Sequence, residues 1–196
     1  MVLSYDFLDV MAWDVVVCAV LLAIGSLRLR YNSKTACFDE SDSNLRLGFA
    51  IAGIAAGFFL FISGLVIIFF WPFAALSSGV YNVLFGGIAT VGGLLFMTGS
   101  VVIATNVDCR PITYFAFVAG LYALVDSYAI MRYGLTSSPI VSTLGYLGFA
   151  APAILSVPAT HLADKRWRYL FAIFAFLFVA VWLIEAATFT IAHLQP

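Results

Sequence analysis

Residues 47–70, LGFAIAGIAAGFFLFISGLVIIFF, contain no charged side chain, and Ser63 is the one hydroxyl-bearing residue among them. A helix must offer about 20 mainly apolar residues to cross a bilayer, because each residue rises about 1.5 Å through a hydrocarbon core about 30 Å thick. Five further stretches pass this test, at residues 7–27, 80–105, 112–133, 139–161 and 169–193. The sequence therefore predicts an all-α protein, a single transmembrane domain over residues 1–196 with about six membrane-spanning helices.

The composition excludes an ordinary soluble domain. Hydrophobic residues make up 64% of the chain and charged residues 10%, with a mean hydropathy of +1.08, whereas soluble domains carry about 25% charged residues. The net charge of −1 and the lack of a basic patch exclude a broad affinity for nucleic acid. We expect the chain to be surrounded by membrane lipids, with other membrane proteins or a second copy of itself as partners.

Basic residues are distributed unequally between the predicted loops. If the helices alternate in direction, loops 28–46, 106–111 and 162–168 share one side of the membrane and contain eight of the nine Lys and Arg residues, leaving Arg132 on the other side. Such an excess is typical of cytoplasmic loops. The chain is thus predicted to cross the cell membrane with these three loops in the cytoplasm and both termini outside. The longest loop, 28–46, is predicted to be solvated.

Three acidic residues fall inside predicted helices at a similar depth. Asp14 and Asp126 lie seven residues, and Glu185 eight residues, from the predicted outer ends of their helices, which places all three about 10–12 Å below the outer surface. Tyr146 falls at the same depth, and Arg132 lies close above it. An aspartate at the centre of a membrane-spanning helix is unfavourable by at least about 2.5 kcal/mol, so such residues often mark a functional site.

Helical spacing places further side chains beside these acids. Tyr122 lies one turn before Asp126, and Trp182 lies one turn before Glu185. If these faces turn inward, the layer could serve as a proton or cation relay, as a pocket for a polar head group, or in general acid–base chemistry. The structural alternative is that Arg132 pairs with one acid while the others are protonated or reach the surface. The candidate ion- or ligand-binding residues are Asp126, Glu185, Arg132, Asp14, Tyr122, Tyr146 and Trp182.

The sequence contains no motif of a known catalytic or cofactor site. No H-E-x-x-H, P-loop or Rossmann fingerprint occurs, and His161 and His193 fall at opposite membrane faces, which excludes haem ligation by both. No cofactor or metal is predicted, and an enzymatic role is disfavoured. Three functions stay open: ion- or proton-linked small-molecule transport or ligand binding at the polar layer, an accessory subunit of a larger membrane complex such as an energy-transducing one, and an intramembrane lipid-modifying enzyme.

Glycines recur in the second and third predicted helices. Residues 53–57 form a G-x-x-x-G pattern, and the third helix contains Gly86, Gly87, Gly92, Gly93 and Gly99. Small residues let helix backbones approach closely in lipid. The pattern predicts internal helix–helix packing, with a dimer interface or space for a ligand as alternatives.

The middle of the sequence carries a set of short motifs that together resemble a known family. The motifs are Trp71-Pro72, Tyr81-Asn82, Phe85-Gly86 and Arg110-Pro111 with Tyr114, then Gly120-Leu121-Tyr122-Ala123, Tyr128-Ala129-Ile130, Arg132-Tyr133-Gly134-Leu135-Thr136 and Pro139. The set, over roughly residues 71–139, resembles a prokaryotic membrane family catalogued as domain of unknown function 981 and found mostly in archaea. The resemblance implies a polytopic, archaeal membrane protein without an established activity. It also implies an acid directly after Phe-Gly, where this chain has Gly87, so a role for that acid is absent here.

Overall fold

Six long helices account for most of the chain. The computed structural model describes residues 3–32, 35–39, 43–70, 80–136, 138–162 and 164–194. Its helices are α1 (Leu3–Arg28), α2 (Ser43–Phe70), α3 (Val80–Thr105), α4 (Arg110–Tyr133), α5 (Pro139–His161) and α6 (Lys165–Leu194). All six are long and apolar enough to cross a membrane. The predicted all-α membrane bundle of six helices is confirmed.

The local sequence explains several helix ends. Pro111 and Pro139 lie in the first turns of α4 and α5, where a helix does not need the backbone N–H that proline lacks. Helix α4 ends at Gly134, whose φ of 59° lies in the left-handed region and whose N–H donates to the carbonyl of Ile130. Helices α1, α2 and α6 begin four residues before the predicted spans, because the helical backbone continues past the apolar segment. The predicted stop at residues 71–72 lies outside the described residues.

A small hairpin covers one end of the bundle. Strands β1 (Tyr31–Asn32) and β2 (Cys37–Phe38) pair antiparallel within the predicted loop 28–46. The Tyr31 hydroxyl donates to the carbonyl of Thr160 on α5 at 3.0 Å, and Arg168 of α6 donates to the carbonyl of Tyr31 at 2.6 Å. Hydrogen bonds to two helices therefore hold the hairpin against the bundle, while its residues Asn32 and Asp39 are exposed.

Two polar side chains at the same end are buried. Arg46, also assigned to the loop by the sequence, lies in the first turns of α2 and is 7% exposed. Cys109 lies directly before α4, and its N–H donates to the carbonyl of Ala36 in the hairpin at 3.2 Å. Burial raises the pKa of the Cys109 thiol, while a hydrogen bond with Tyr31 acts in the opposite direction. Cys109 and the hairpin are thus packed against each other at this end.

The helices form a closed up-and-down ring. Each helix packs against the next one in the chain, and α6 returns to pack against α1. At the junction of α1 and α6, the Trp13 indole N–H donates to the Thr190 hydroxyl at 2.9 Å, and that hydroxyl donates to Asp9 at 2.7 Å. We call the end with both chain termini the terminal end, and the end with the hairpin and most of the basic residues the basic end.

Helices α2 and α3 approach each other at glycines. A Cβ added to Gly57 would lie 2.9 Å from the carbonyl oxygen of Gly93, and one added to Gly64 would lie 2.8 Å from that of Gly86. Real Cβ atoms almost never come so close to backbone. The G-x-x-x-G pattern therefore serves packing inside the chain, as close helix contact in lipid requires small residues.

We expect Gly93→Ala to destabilise the protein by about 1–3 kcal/mol, as overpacking usually does. The added methyl group would lie 2.6 Å from the carbonyl oxygen of Gly57 and 2.7 Å from the Cα of Phe61, so the backbones must move apart. Gly99→Ala is the matched control, because a Cβ there meets nothing within 4 Å and gains the same helix propensity. Size-exclusion chromatography after heating measures the thermal midpoint of each variant. Equal thermal midpoints for the two variants would contradict the close α2–α3 contact.

Candidate functional site

The Tyr146 side chain lies inside the ring without a hydrogen-bond partner. Tyr146 is 2% exposed, and its hydroxyl finds no partner among the described residues. The groups whose electrostatic fields act on this hydroxyl are Asp126, Tyr122 and Glu185. Residues from α4, α5 and α6 thus converge on one buried phenol. This convergence is the arrangement that the predicted polar layer requires.

Asp126 presents a carboxyl oxygen that is also unpartnered. The residue is 8% exposed, and its Oδ2 atom is enclosed without a hydrogen-bond partner in the described chain. Its carboxyl group lies near the side chain of Tyr122, one turn earlier on α4. Gly87 of α3 leaves room for the Tyr122 hydroxyl, which a Cβ at that position would meet. The Oδ2 atom of Asp126 is therefore available to accept a hydrogen bond.

Glu185 and Trp182 bring the adjoining face of α6 to the same place. Glu185 is 7% exposed and lies near the side chain of Ser142 on α5. The Trp182 indole N–H donates to the carbonyl of Gly145 at 3.1 Å, and its ring packs against the same glycine. Trp182 therefore joins α5 to α6 directly beside Tyr146, and its polar atom is used in that contact. A small cavity of about 30 Å³ adjoins both aromatic side chains.

Asp14, on α1, has no described hydrogen bond or ion pair with the other two acids. It is half-buried on α1, and its Oδ2 atom is enclosed without a partner among the described residues. Its field acts on Cys18, one turn along the same helix, and it is not among the groups that act on the Tyr146 hydroxyl. The shared depth predicted for the acids therefore groups Asp126 with Glu185, and leaves Asp14 as a separate polar position.

Arg132 does not join the acids. Its side chain is exposed, and its guanidinium lies 5.8 Å from the centre of the Tyr133 ring. Within the described chain, no ion pair links Arg132 to Asp126, Glu185 or Asp14. The ion pair offered as a structural alternative is thus not formed here. The buried carboxyl groups lie in the bundle without a described cation beside them.

Two participants were missed by the sequence analysis. Ser142 lies near Glu185, and its position one turn before Tyr146 on α5 was a signal that could have found it. Gly87 shapes the space around Tyr122, and no property of a lone glycine in the sequence shows which helix it faces. In the described residues, no three His, Cys, Asp or Glu side chains come together as a metal site. We call Asp126, Tyr122, Tyr146, Glu185 and Ser142 the polar cluster.

We expect Tyr146→Phe to raise the stability of the ligand-free protein. Replacing a buried hydroxyl that has no partner removes a desolvation penalty of about 1–3 kcal/mol. Tyr31→Phe is the control, because the Tyr31 hydroxyl donates to Thr160 and its loss should lower stability by about 1 kcal/mol. Thermal unfolding of the purified proteins in detergent compares the two changes. A similar loss of stability in both variants would show that the Tyr146 hydroxyl has a partner.

Comparison with known proteins places the chain in a family. The chain matches no curated protein and no solved structure. The profile of the family described as "Protein of unknown function (DUF981)" matches residues 1–196, the whole chain. The match confirms the resemblance carried by the short motifs, extends it over all six helices, and does not test an archaeal origin. This protein therefore belongs to the DUF981 family.

Proposed function

We propose that this protein is a transport-type membrane protein that binds a proton or a small cation at the polar cluster. The observation that carries the proposal is the Tyr146 hydroxyl, which is buried, unpartnered and subject to the fields of Asp126 and Glu185. Ionisable residues inside a membrane bundle are expensive and commonly lie on ion or substrate pathways. A closed ring of helices also shields such a site from lipid on all sides.

Charge balance indicates which ligand suits the cluster. An ionised carboxylate in a medium of low dielectric constant is stable only beside a positive charge or under several hydrogen bonds. Asp126 and Glu185 each lie near one hydroxyl-bearing side chain, of Tyr122 and of Ser142 respectively. No described cation pairs with either acid. A bound proton or a small cation supplies the missing charge, and the Tyr146 hydroxyl supplies a further ligand atom.

The same geometry weighs against the two alternatives. An intramembrane lipid-modifying enzyme needs an activated nucleophile or a metal-bound water, and the polar cluster contains carboxyl, phenol and one serine hydroxyl group beside Glu185. An accessory subunit binds its partner through its lipid-buried outer surface. Such binding does not require the enclosed polar cluster. Transport is the function that uses the buried acids directly.

Proton flux into proteoliposomes tests the proposal. Purified protein is reconstituted with a pH-sensitive dye inside, and a potassium diffusion potential drives proton entry. We expect flux above that of protein-free vesicles, reduced by about tenfold or more in Asp126→Asn and in Glu185→Gln. Each change removes one proton-accepting group while it keeps the size of the side chain.

Asp164→Asn is the control for the loss of an acidic residue. Asp164 is exposed at the basic end and accepts a hydrogen bond from the N–H of Arg166, a role that asparagine also fills. This variant should match the wild type in flux. Full flux in both cluster variants, or wild-type flux equal to that of empty vesicles, would overturn proton-linked transport.

We also propose that the basic end faces the cytoplasm of the cell, as the excess of Lys and Arg in its loops indicates. Alkaline phosphatase folds actively only outside the bacterial cytoplasm, because it needs disulfides. A phosphatase fused after Pro196 should therefore be active in a bacterial host, whereas one fused after Val107 should be inactive. The reverse pattern would show that the termini lie inside.

A further inference from the structure

The basic half of the ring encloses a second, larger cavity. Its volume is about 280 Å³, and all six helices contribute side chains to its lining. Representative residues of α1 to α6 in order are Gly25, Phe49, Gly99, Ala116, Pro152 and Phe171. Tyr31 and Phe38 of the hairpin also line the cavity, at its basic end. The acids of the polar cluster do not contribute to this lining.

Hydroxyl groups in the cavity wall are engaged by their own helices. The Ser26 hydroxyl donates to the carbonyl of Ala23 at 2.7 Å, and the Ser156 hydroxyl donates to that of Ala153 at 2.6 Å. Thr113 donates to its own helix in the same way. Serine and threonine commonly bond backward in this manner in membrane helices. Ser100 is the serine or threonine of the described lining that has no such bond, so the wall offers mainly apolar contact, which suits a hydrocarbon ligand.

An empty apolar cavity of this size is unfavourable, because the atoms around it lose dispersion contacts. The phase that surrounds the ring consists of hydrocarbon chains, which can restore those contacts. The volume lies near the lower limit of the about 300–1,000 Å³ common for small-molecule pockets. A single lipid chain matches the apolar wall in its chemistry, and the surrounding membrane provides such chains.

Positive charge lies at the basic end of the cavity. Arg168 lines the cavity and uses one guanidinium nitrogen on the carbonyl of Tyr31. Arg46 lies on the same face of α2 as Phe49 and Gly53, which line the cavity. It is 7% exposed, and its Nε and Nη1 atoms have no partner among the described residues. Arg46 itself does not line the cavity, and no acid of the described residues pairs with it. A buried guanidinium that has no counter-charge is unfavourable, so an anion at this end of the cavity would be stabilised.

We propose that the cavity binds one anionic membrane lipid, with a hydrocarbon chain inside the ring and the head group paired with Arg46 and Arg168. Recognition has two parts: the apolar wall accepts the chain, and the two arginines select negative charge at the head. The site lies in the half of the ring opposite the polar cluster and does not depend on transport.

Native mass spectrometry of the delipidated protein tests the proposal. The probes are phosphatidylglycerol and phosphatidylcholine with identical chains, titrated separately. We expect one phosphatidylglycerol to bind each chain at least about tenfold more tightly than phosphatidylcholine, since a paired buried charge contributes strongly to affinity. Arg46→Gln should remove that preference. Gly99→Leu should weaken both lipids, because its side chain grows into the cavity from a position where a Cβ meets nothing within 4 Å.

Matched controls separate the site from general surface effects. Arg166→Gln removes the same charge from an exposed position at the basic end, and Gly48→Leu adds the same side chain at an exposed, open position on α2. Both controls should bind as the wild type does. Unchanged head-group preference in Arg46→Gln, or unchanged binding in Gly99→Leu, would overturn the proposal.

A measurement on the wild type alone guards against variants that do not fold. Phosphatidylglycerol should raise the thermal midpoint of the delipidated protein more than phosphatidylcholine does, because a ligand that binds only the folded state stabilises it. Glycerol 3-phosphate, which is a head group without a chain, should have no such effect. Equal stabilisation by the two lipids, or full stabilisation by glycerol 3-phosphate, would contradict a site that needs both chain and charge.

Discussion

Inside hydrocarbon, every backbone N–H and C=O group has to be hydrogen-bonded within its own segment, and this requirement governs the whole structure. It selects six helices, and it also consumes most of the short hydroxyl side chains. The Thr90 hydroxyl donates to the carbonyl of Gly86, and the Ser127 hydroxyl donates to that of Leu124, each on its own helix. A tyrosine cannot return to its own backbone in this way, because its hydroxyl lies too far from its Cα. The Tyr146 hydroxyl therefore depends on other helices or on a ligand.

Close packing at glycines determines where such long polar side chains fit. The α2–α3 contact at Gly57 and Gly93 binds these helices tightly to each other. On α3, Gly87 then leaves the space that the Tyr122 hydroxyl of α4 occupies beside Asp126.

Depth along a helix could be predicted from the sequence, whereas rotation about the helix axis could not. Each residue rises by the same distance, so Asp126, Glu185 and Tyr146 could be predicted at one level, and both acids are among the groups that influence the Tyr146 hydroxyl. Whether side chains at one level meet depends on which face each helix turns inward, and that is decided by packing with all its neighbours. Asp14 shares the level and yet acts on Cys18 rather than on Tyr146.

Arg132 and Arg46 show the same limitation at the two ends of the bundle. The sequence placed Arg132 beside the acids, and the structure turns it outward over Tyr133. It placed Arg46 in a solvated loop, and the structure buries it in a helix. Both errors concern arginines at helix ends, where a long side chain can reach either solvent or protein. Composition and hydropathy do not distinguish these two outcomes.

The two halves of the ring differ in chemistry and meet at a layer of aromatic rings. Phe96, Phe149 and Phe178 line both the small cavity beside Tyr146 and the large apolar cavity of the basic half. Phe149 and Phe178 pack edge to face with ring centres 6.0 Å apart, a favourable geometry for such pairs. An ion that travels from the polar cluster to the basic end has to pass between these rings. A lipid chain in the basic half would contact the same rings from the other side, so its presence bears directly on whether they can separate.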